Sequence, residues 1–464
     1  MSAHFSEFGI PTERGSPTVR VRWRANLCGT HEEVARMGAD TSAGRRLLIE
    51  NVRIFDGVSE HLSDGHVLIE GRTIAAVESS PISAGDDDVV IDGAGRTLMP
   101  GMTDAHVHLV GMANTVIDLV MGSQTQLAAA TLAKAKDTLL RGFTTVRDMA
   151  GDTAGIRKVI DAQPELGPRI YPSQAAISQT GGHGDFSFVY ERPTALGGNE
   201  SRAEQIGFMR VADGPERVLA AVREQLKLGA TQIKLMVGGG AASLYDPLYT
   251  VQFTAAELRA AVQAAEDYGT YVATHVYNVT GIRRAVEAGV KSIEHGHLAD
   301  EATIAMLAER GVWLSTQPFA EHDHGFLNPD SAAKNKEICA GTDQLYRWAT
   351  KHGVKVAWGT DLLFEPDRDA LQSDMMTRLG EYMTNAQALK MVTSGNAELF
   401  RLAGERDPYR AARLGEIRCG AWADVLLVNG DPLADLGLLG KPEDNLCLIV
   451  KDGVIVKNNL ERAA

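Results

Sequence analysis

The feature that most constrains the fold is a regular alternation of short apolar segments with helical segments between residues 102 and 361. The apolar segments have the length of β-strands, and their alternation with helices predicts βα units in a parallel sheet. The eight predicted strands span residues 102–108, 143–148, 169–177, 232–237, 271–275, 292–295, 312–316 and 354–361. Because eight βα units close naturally into a ring, we predict an α/β fold in the form of a (β/α)8 TIM barrel.

Helix signals lie between these strands. Thr254 stands three residues before Glu257, which is the spacing of a capping box at a helix start. Residues 181–214, after the third strand, form the longest interruption of the pattern. A loop of this length in a compact domain is more often a lid or a binding loop than a linker. The predicted helices include residues 126–141, 215–228, 254–268 and 300–310.

The two ends of the chain have a different pattern, with short β segments closed by glycine-containing turns at 46–98 and at 414–464. Isolated strands need partners, so we predict that both ends pair into one small β-sandwich domain. Residues 99–413 then form the barrel domain. Residues 1–45 have no clear periodicity, and we interpret them as an N-terminal extension that packs between subunits.

Composition narrows the class of protein. The chain has 60 acidic and 46 basic residues, a formal charge of -14, which argues against nucleic acid and anionic membranes as partners. Its four cysteines are far apart and form no C-x-x-C pair, so we expect reduced thiols. No apolar run approaches the roughly 18 residues of a membrane span. The first 45 residues also lack the apolar core of a secretory signal. We therefore predict a cytoplasmic protein.

A set of nitrogen and oxygen ligands lies at the predicted strand ends. His106 and His108 are two residues apart on the first strand, so their imidazoles share a face and can bind one metal ion. The side chains that can complete the site are Lys234, His275, His295 and Asp361. Imidazole and carboxylate ligands suit Zn²⁺ or a similar divalent ion, and the active sites of (β/α)8 barrels lie at the carboxyl ends of the strands.

Lys234 is the unusual member of this set because metal ions repel an ammonium group. Its predicted position is mid-strand and inward-facing. If the amine reacts with CO₂, the resulting carbamate is an anionic ligand with two oxygens. Such a group can bridge two ions roughly 3.5 to 4 Å apart.

The chain resembles the amidohydrolase superfamily of metal-dependent hydrolases from about residue 46 to residue 460. The resemblance implies that His106, His108 and Asp361 hold one metal, that His275 and His295 hold a second, and that carboxylated Lys234 bridges them. It implies two divalent ions, Zn²⁺ first, with Co²⁺ or Mn²⁺ as alternatives. The segments that carry it are MPGMTDAHVH (99–108), IKLMVGGG (233–240), ATHVYN (273–278), SIEHGHL (292–298), WGTD (358–361) and GAWADVLLVNGDPL (420–433).

Within the superfamily, the segment ISQTGGHGD (177–185) is similar to the prolidase-like and ochratoxinase-like branch, which is related to imidazolonepropionase. In that branch the histidine of this loop lies over the substrate, so the resemblance makes His183 the candidate for polarising the scissile carbonyl. Tyr245, just past the glycines that follow Lys234, is the candidate hydrogen-bond donor to that carbonyl or to a substrate carboxylate.

The expected reaction is hydrolysis of an amide-type C–N bond by a hydroxide shared between the two ions, with Asp361 taking and then returning the proton. The substrate is a small molecule: an N-acyl amino acid, an Xaa-Pro dipeptide, or an aryl amide, carbamate or urea. Arg192, Arg202 and Arg210 are candidates for binding a substrate carboxylate. We also expect a homo-oligomer, as is frequent in the family.

Two other classes stay open. A cyclic-amide hydrolase or a deaminase would use the same hydroxide, although deaminases of the superfamily typically have a glutamate where this chain has Lys234. A non-catalytic scaffold would usually have lost metal ligands. Further polar residues, namely His297, the segment 321–324 and the pair Arg147 and Asp148, are interpreted mainly as structural or solvated.

Overall fold

The computed structural model describes residues 46–243 and 245–460. The predicted N-terminal extension, 1–45, lies outside the described residues. Helices and strands are both abundant, which confirms the mixed α/β class. None of the helices in the described ranges is long and apolar enough to cross a membrane.

The strands of the described residues form three sheets. They are β1 (Arg46–Ile54), β2 (Ser63–Glu70), β3 (Thr73–Glu78), β4 (Val89–Asp92), β5 (Thr97–Pro100), β6 (Met102–Val107), β7 (Phe143–Asp148), β8 (Arg169–Pro172), β9 (Ala176–Ser178), β10 (Met209–Val211), β11 (Ile233–Met236), β12 (Val272–Asn278), β13 (Ser292–Leu298), β14 (Trp313–Thr316), β15 (Val356–Trp358), β16 (Val425–Val428), β17 (Leu446–Lys451) and β18 (Val454–Asn458).

One sheet combines strands from the two ends of the chain in the order β18-β17-β16-β5-β1-β2-β3, with β4 beside β1. Its central junction is antiparallel and places Leu427 opposite Leu98. One further contact joins its edge strand β3 to the segment before β16: the N–H of Ile74 donates a hydrogen bond to the carbonyl of Ala421. Apolar side chains from both ends form its core. The division into a 46–98 and 414–464 domain and a 99–413 domain stays a prediction.

The other two sheets are parallel. One has the order β6-β7-β8 and the other the order β10-β9-β11-β12-β13-β14-β15. The ends of the two sheets approach each other where the N–H of Asp361, just past β15, donates to the carbonyl of His106 on β6, at 2.8 Å. The strand pairing itself gives two open sheets, so the closed barrel stays a prediction at this point.

Helices follow most of the parallel strands, and further α-helices lie in the later part of the chain. They are α1 (Leu109–Ala113), α2 (Val116–Met121), α3 (Gln124–Leu140), α4 (Ala154–Ala162), α5 (Arg202–Gln205), α6 (Pro215–Leu228), α7 (Ala255–Asp267), α8 (Val279–Ala288), α9 (Glu301–Arg310), α10 (Pro329–Ala340), α11 (Thr342–His352), α12 (Leu371–Thr377), α13 (Asn385–Lys390), α14 (Asn396–Phe400) and α15 (Pro442–Asn445).

The caps explain why the predicted helices begin and end close to these bounds. Thr254 accepts from the N–H of Glu257, whose side chain reaches back to Thr254, so α7 begins with the predicted capping box. Helix α6 has a proline in its first turn and ends at Gly229, whose φ of 113° suits glycine. These local signals act through hydrogen bonds within a few residues, which is why the sequence alone reveals them.

Three segments differ from the prediction. The third strand, predicted over 169–177, is broken into β8 and β9, and Gln174 in the break has a φ of 60°. The last strand is short, so Asp361 lies in the following loop and not on the predicted strand. The predicted loop 181–214 contains α5 and β10, and β10 pairs with β9. Each difference depends on contacts between residues that are distant in the sequence.

Candidate active site

The first two candidate ligands, His106 and His108, lie at the end of β6 and are buried. Nδ1 of His106 is 2.8 Å from Oε2 of Glu294, a carboxylate that can only accept, so Nδ1–H donates and Nε2 is left unprotonated. That Nε2 lies 3.5 Å from Oδ1 of Asp361. Nε2 of His108 lies 3.0 Å from the same oxygen. The two imidazoles therefore converge on one carboxylate.

Glu294 is itself held by a second buried partner. Its Oε2 accepts from Nη2 of Arg147 at 2.7 Å, and its Oε1 accepts from the hydroxyl of Ser292 at 2.5 Å. Burial alone would raise the pKa of Glu294, but Arg147 and His106 hold it well below its usual value. Glu294 is therefore ionised and fixes the orientation of His106.

The second pair, His275 and His295, comes from β12 and β13. Nε2–H of His275 donates to the carbonyl of Gly239 at 3.2 Å, which leaves Nδ1 as a lone-pair donor. Nδ1–H of His295 donates to Oε1 of Gln317 at 2.8 Å, which leaves Nε2. The centroids of the two rings are 4.6 Å apart. Each imidazole thus has one nitrogen engaged by the protein and one available for a ligand.

His295 and Asp361 share an unusual backbone conformation. Their φ angles are 76° and 55°, in the left-handed region that non-glycine residues rarely adopt. At His295 this interrupts the alternation of the strand, so neighbouring Glu294 and His295 can both contribute to one site. Strain of this kind costs of order 1 to 3 kcal/mol and clusters at functional sites.

The protonation states suit metal binding. Burial lowers the pKa of His108, and it lowers that of His295 to about 4, so both rings are neutral at pH 7. Burial would raise the pKa of Asp361, but the surrounding histidines hold it well below its usual value. His106, His295 and Asp361 offer ligand atoms that all lie within 4.8 Å of one another. Neutral imidazoles and an ionised carboxylate form a donor set that fits Zn²⁺.

Lys234 lies beside this group on β11. It is almost completely buried, and its Nζ is 3.2 Å from Nε2 of His106. Burial lowers its pKa to about 8, which increases the share of the neutral amine that reacts with CO₂. The structure therefore brings the six predicted ligand residues to one place, with Lys234 in the inward-facing position expected of it.

His183 lies over His275, one of the second pair of candidate ligands. Its ring stacks on His275 with centroids 4.1 Å apart and planes inclined by 17°. Its Nδ1 is 2.9 Å from Oδ2 of Asp246 and 2.6 Å from the hydroxyl of Ser243. Oδ2 of Asp246 also accepts from the N–H of Gly240 at 2.8 Å. The ring is thus fixed through Nδ1, and Nε2 is left for a substrate.

Gly240 explains part of the glycine run after Lys234. A Cβ atom at this position would lie 2.2 Å from Cε1 of His183, so any side chain would displace the imidazole. The same loop is anchored by Lys334, whose ammonium donates to the carbonyls of Gly240 at 3.0 Å and Ser243 at 2.9 Å.

Tyr245, the candidate hydrogen-bond donor to the substrate, lies toward the surface. It is 39% exposed, its hydroxyl donates to the carbonyl of Ser187 at 3.2 Å, and it is not among the described residues that line the cavity. Its role stays a prediction. Tyr277 does line the cavity, with its ring 5.1 Å from that of His295. It belongs to the ATHVYN segment, but its position at the end of β12 did not distinguish it from a core tyrosine.

Most of the candidate site residues line one cavity, which has a volume of about 480 Å³ and mostly apolar walls. The candidate ligands that line it are His108, Lys234, His275, His295 and Asp361, together with His183. The remaining walls are formed by aromatic and aliphatic side chains, mainly Phe186, Phe208, Met209, Met236, Phe319, Phe326, Leu327, Ile338, Leu363 and Phe364.

Other sequence candidates have different places. Arg210 pairs with Glu200 and Glu224, and Arg202 donates to the carbonyl of Gly122. None of the three candidate arginines, Arg192 included, is among the described residues lining the cavity.

Most of the residues that the sequence analysis interprets as structural or solvated are held by protein partners or lie outside the cavity lining. Arg147 pairs with Glu294 and not with its neighbour Asp148. His297 is held by the carbonyl of Gln317 at 3.0 Å. In the segment 321–324, only His324 lines the cavity.

Comparison with known proteins decides the family. A sequence model described as the amidohydrolase family matches residues 97–456. The chain belongs to the amidohydrolase family. The resemblance noted in the sequence is thereby confirmed, and the matched range of this amidohydrolase contains every candidate ligand.

Individual relatives agree with this assignment. The ochratoxinase of Aspergillus niger is 33% identical over 360 residues, which cover 75% of this amidohydrolase and 73% of the relative. A solved prolidase in complex with N-methylphosphonate-L-proline has a TM-score of 0.82 and 33% identity, and the match covers 89% of this chain and 100% of that one. A solved Xaa-Pro dipeptidase with bound methionine has a TM-score of 0.76 and 28% identity, with 89% and 100% covered.

Proposed function

We propose that this amidohydrolase is a binuclear metal-dependent enzyme that hydrolyses an amide-type C–N bond of a small molecule. The observation that carries the proposal is the convergence of the candidate ligands: His108, His275, His295, Asp361 and the buried Lys234 line one cavity. The fourth imidazole, that of His106, lies 3.2 Å from Lys234 and 3.5 Å from Asp361. The likeness to prolidases and an ochratoxinase supports the reaction class. We also infer from the family that the two parallel sheets belong to one (β/α)8 barrel, whose strand ends position these side chains.

The donor set is suited to two divalent ions. His106, His108 and Asp361 would hold one, most simply Zn²⁺, while His275 and His295 would hold the other. When bound, the ions supply an acidified water as nucleophile at neutral pH and polarise the substrate carbonyl. Carboxylated Lys234 would bridge them, and the short distance from its Nζ to His106 supports this placement.

Asp361 is the residue that moves the proton. Its carboxylate is ionised because the pKa is held well below its usual value, and it lies within 3.5 Å of Nε2 of both His106 and His108. From this position it takes the proton of the attacking water and then gives it to the leaving nitrogen. General acid–base transfer of this kind typically contributes about 10² to 10⁴-fold to a rate.

His183 is the residue that binds the substrate carbonyl. Its Nδ1–H donates to Asp246, so binding a carbonyl oxygen through Nε2 requires a second proton on the ring, and the adjacent Asp246 carboxylate favours that doubly protonated form. Stacking on His275 fixes the orientation of the ring before charge develops on the carbonyl oxygen. A preorganised donor of this kind is more effective than a mobile one because its orientation is set before the reaction.

Elemental analysis of the purified enzyme, together with an assay against amides, tests this proposal. We expect about two metal equivalents per chain and cleavage of at least one N-acyl amino acid, Xaa-Pro dipeptide, aryl amide, carbamate or urea. Asp361→Asn should keep its fold and lose at least about 100-fold in kcat. Asp367→Asn, an exposed aspartate six residues along the chain, is the matched control. One equivalent or fewer and no turnover after metal reconstitution would contradict the proposal.

A further inference from the structure

The walls of the cavity contain two separate groups of aromatic rings. The first consists of Phe186, Phe208 and Phe364, whose centroids are 6.0 to 6.2 Å apart. It lies on the side of His108, because the ring of Phe208 is 6.5 Å from that imidazole. Rings at these separations form tilted and edge-to-face pairs that leave apolar faces for another aromatic group.

The second group lies on the side of His295. Phe319 and Phe326 flank the ring of His324, with centroid distances of 5.4 Å to each. Phe319 also stacks on His297, which in turn contacts Tyr277, the neighbour of His295. The candidate ligands therefore lie between two aromatic walls. A substrate whose C–N bond is placed over the ligands has an apolar surface available on each side of that bond.

A lysine or arginine to pair with a substrate carboxylate is missing from the described lining outside the candidate metal centre. Among the described lining residues, Lys234 is the one lysine or arginine, and it belongs to the candidate metal centre. Two arginines near this face already have partners: Arg378 pairs with Asp323, and Arg368 donates to the carbonyl of His322. The lining includes Glu365, which adds negative charge. The lining does contain neutral hydrogen-bond donors, namely Tyr277, Asn328, Ser331 and Asn335, but these do not neutralise a charge. Burying a carboxylate without a cationic partner is costly.

We infer that the substrate is uncharged and has an aromatic group on each side of the scissile bond, as in an aryl or aralkyl amide, carbamate or urea. This inference rests on the proposed function and selects among the substrates that the sequence leaves open. It disfavours N-acyl amino acids and Xaa-Pro dipeptides, whose free carboxylate would lie against an apolar wall.

Two amides that differ in a single group provide the test. N-benzoyl-phenethylamine and N-benzoyl-L-phenylalanine have the same rings and the same scissile bond, and differ only in the carboxylate. With the metal-loaded enzyme, we expect kcat/KM to be at least about tenfold higher for the neutral compound. Equal values or a preference for the carboxylate would overturn the inference but leave the proposed function intact. Cleavage of neither compound nor of any amide in the wider panel would overturn both.

Substitutions in the first aromatic group test whether its rings bind the substrate. Phe186→Leu keeps an apolar side chain but removes a ring of the first wall, and we expect a several-fold lower kcat/KM for N-benzoyl-phenethylamine. Phe188→Leu is the matched control, since Phe188 is 57% exposed and is not among the described lining residues. Equal losses in the two variants, or no loss in Phe186→Leu, would count against an aromatic subsite.

A positive charge added at the cavity mouth tests the inference that the substrate is uncharged. Leu327 lines the mouth and is 99% exposed, so Leu327→Arg introduces a cation without disturbing the core. We expect this variant to raise kcat/KM for N-benzoyl-L-phenylalanine relative to the neutral amide. An unchanged ratio would mean that the missing cation does not determine the preference.

Discussion

One oxygen of Glu294, Oε2, lies 2.8 Å from Nδ1 of His106 and accepts a hydrogen bond from its N–H. The same oxygen lies 2.7 Å from Nη2 of Arg147. A single buried carboxylate thus neutralises a buried arginine and orients a candidate metal ligand. Outer partners of this kind raise the basicity of a ligating histidine and fix its tautomer.

Replacing Glu294 should therefore weaken metal binding. In Glu294→Gln the partner of His106 is neutral, and we expect metal affinity to fall about 10 to 100-fold. Competition with a chelator measures this, and a thermal melt verifies that the variant is folded. Glu337→Gln, an exposed glutamate on α10, should bind metal as the wild type does. Wild-type affinity in a folded Glu294→Gln would remove Glu294 from the site.

Lys234→Ala should lose both metal and activity. The variant lacks the amine that would form the proposed bridging carbamate, so only the imidazoles and Asp361 would remain to bind the ions. Formate, acetate or propionate can enter the vacated space and supply a carboxylate, and we expect partial recovery of metal content and turnover. Lys227→Ala, at an exposed position on α6, is the control. Full metal content without any added acid would contradict the bridging role.

Asp246 is expected to act through His183. The variant Asp246→Asn keeps the size of the side chain but removes the charge 2.9 Å from Nδ1 of His183. We expect kcat to fall about tenfold or more with a smaller effect on KM, since the ring loses its fixed orientation during the reaction.

A double-mutant cycle separates this positioning role from general damage. Asp246→Asn should have little further effect in a His183→Ala background, because the two residues act as one unit. Fully additive losses in kcat would show that Asp246 supports the fold of the loop rather than the orientation of His183.

Asp148 gives the enzyme a predictable dependence of stability on pH. This carboxyl group at the end of β7 is buried, and burial raises its pKa from 3.8 to about 8. The folded state then binds a proton that the unfolded state releases, so this contribution to stability is complete below pH 3.8 and is lost as the pH rises through about 8.

Asp148→Asn removes that proton linkage. Compared with the wild type, the variant should become relatively more stable as the pH is raised from 5 to 8, which urea denaturation at several pH values measures. Asp267→Asn, at an exposed position on α7, should show no such trend relative to the wild type. A difference between Asp148→Asn and the wild type that does not change with pH would show that the carboxyl group does not bind a proton in the folded protein.

The sequence was informative wherever the signal is local. The capping box at Thr254 and the glycine after α6 place helix boundaries through hydrogen bonds between near neighbours. The H-x-H spacing of His106 and His108 predicts a shared face because strand geometry alternates every residue. The strand break at Gln174 and the pairing of β10 with β9 have no comparable local signal.

The candidate site also contains residues that the sequence predicts and residues that only the structure reveals. All six predicted ligand residues come together, and the sequence reveals them because each is a metal-ligating residue type on or next to a predicted strand. The sequence does not reveal which side chains hold the histidines in place, because such a partner can come from any part of the chain. The structure shows these partners to be Glu294, Asp246 and Gln317. Tyr245, close to Lys234 in the sequence, lies outside the cavity lining, whereas Tyr277 reaches it.

The sequence by itself indicated the α/β class through periodicity, the family through the resemblance of its motifs, and the candidate metal ligands through side-chain chemistry. The tertiary structure decided which nitrogen of His106, His275 and His295 is engaged and that the left-handed backbone at His295 lets adjacent residues share a site. It also decided that aromatic rings lie beside the candidate ligands. Those properties depend on distances between residues far apart in the chain, and such distances exist only once the chain has folded.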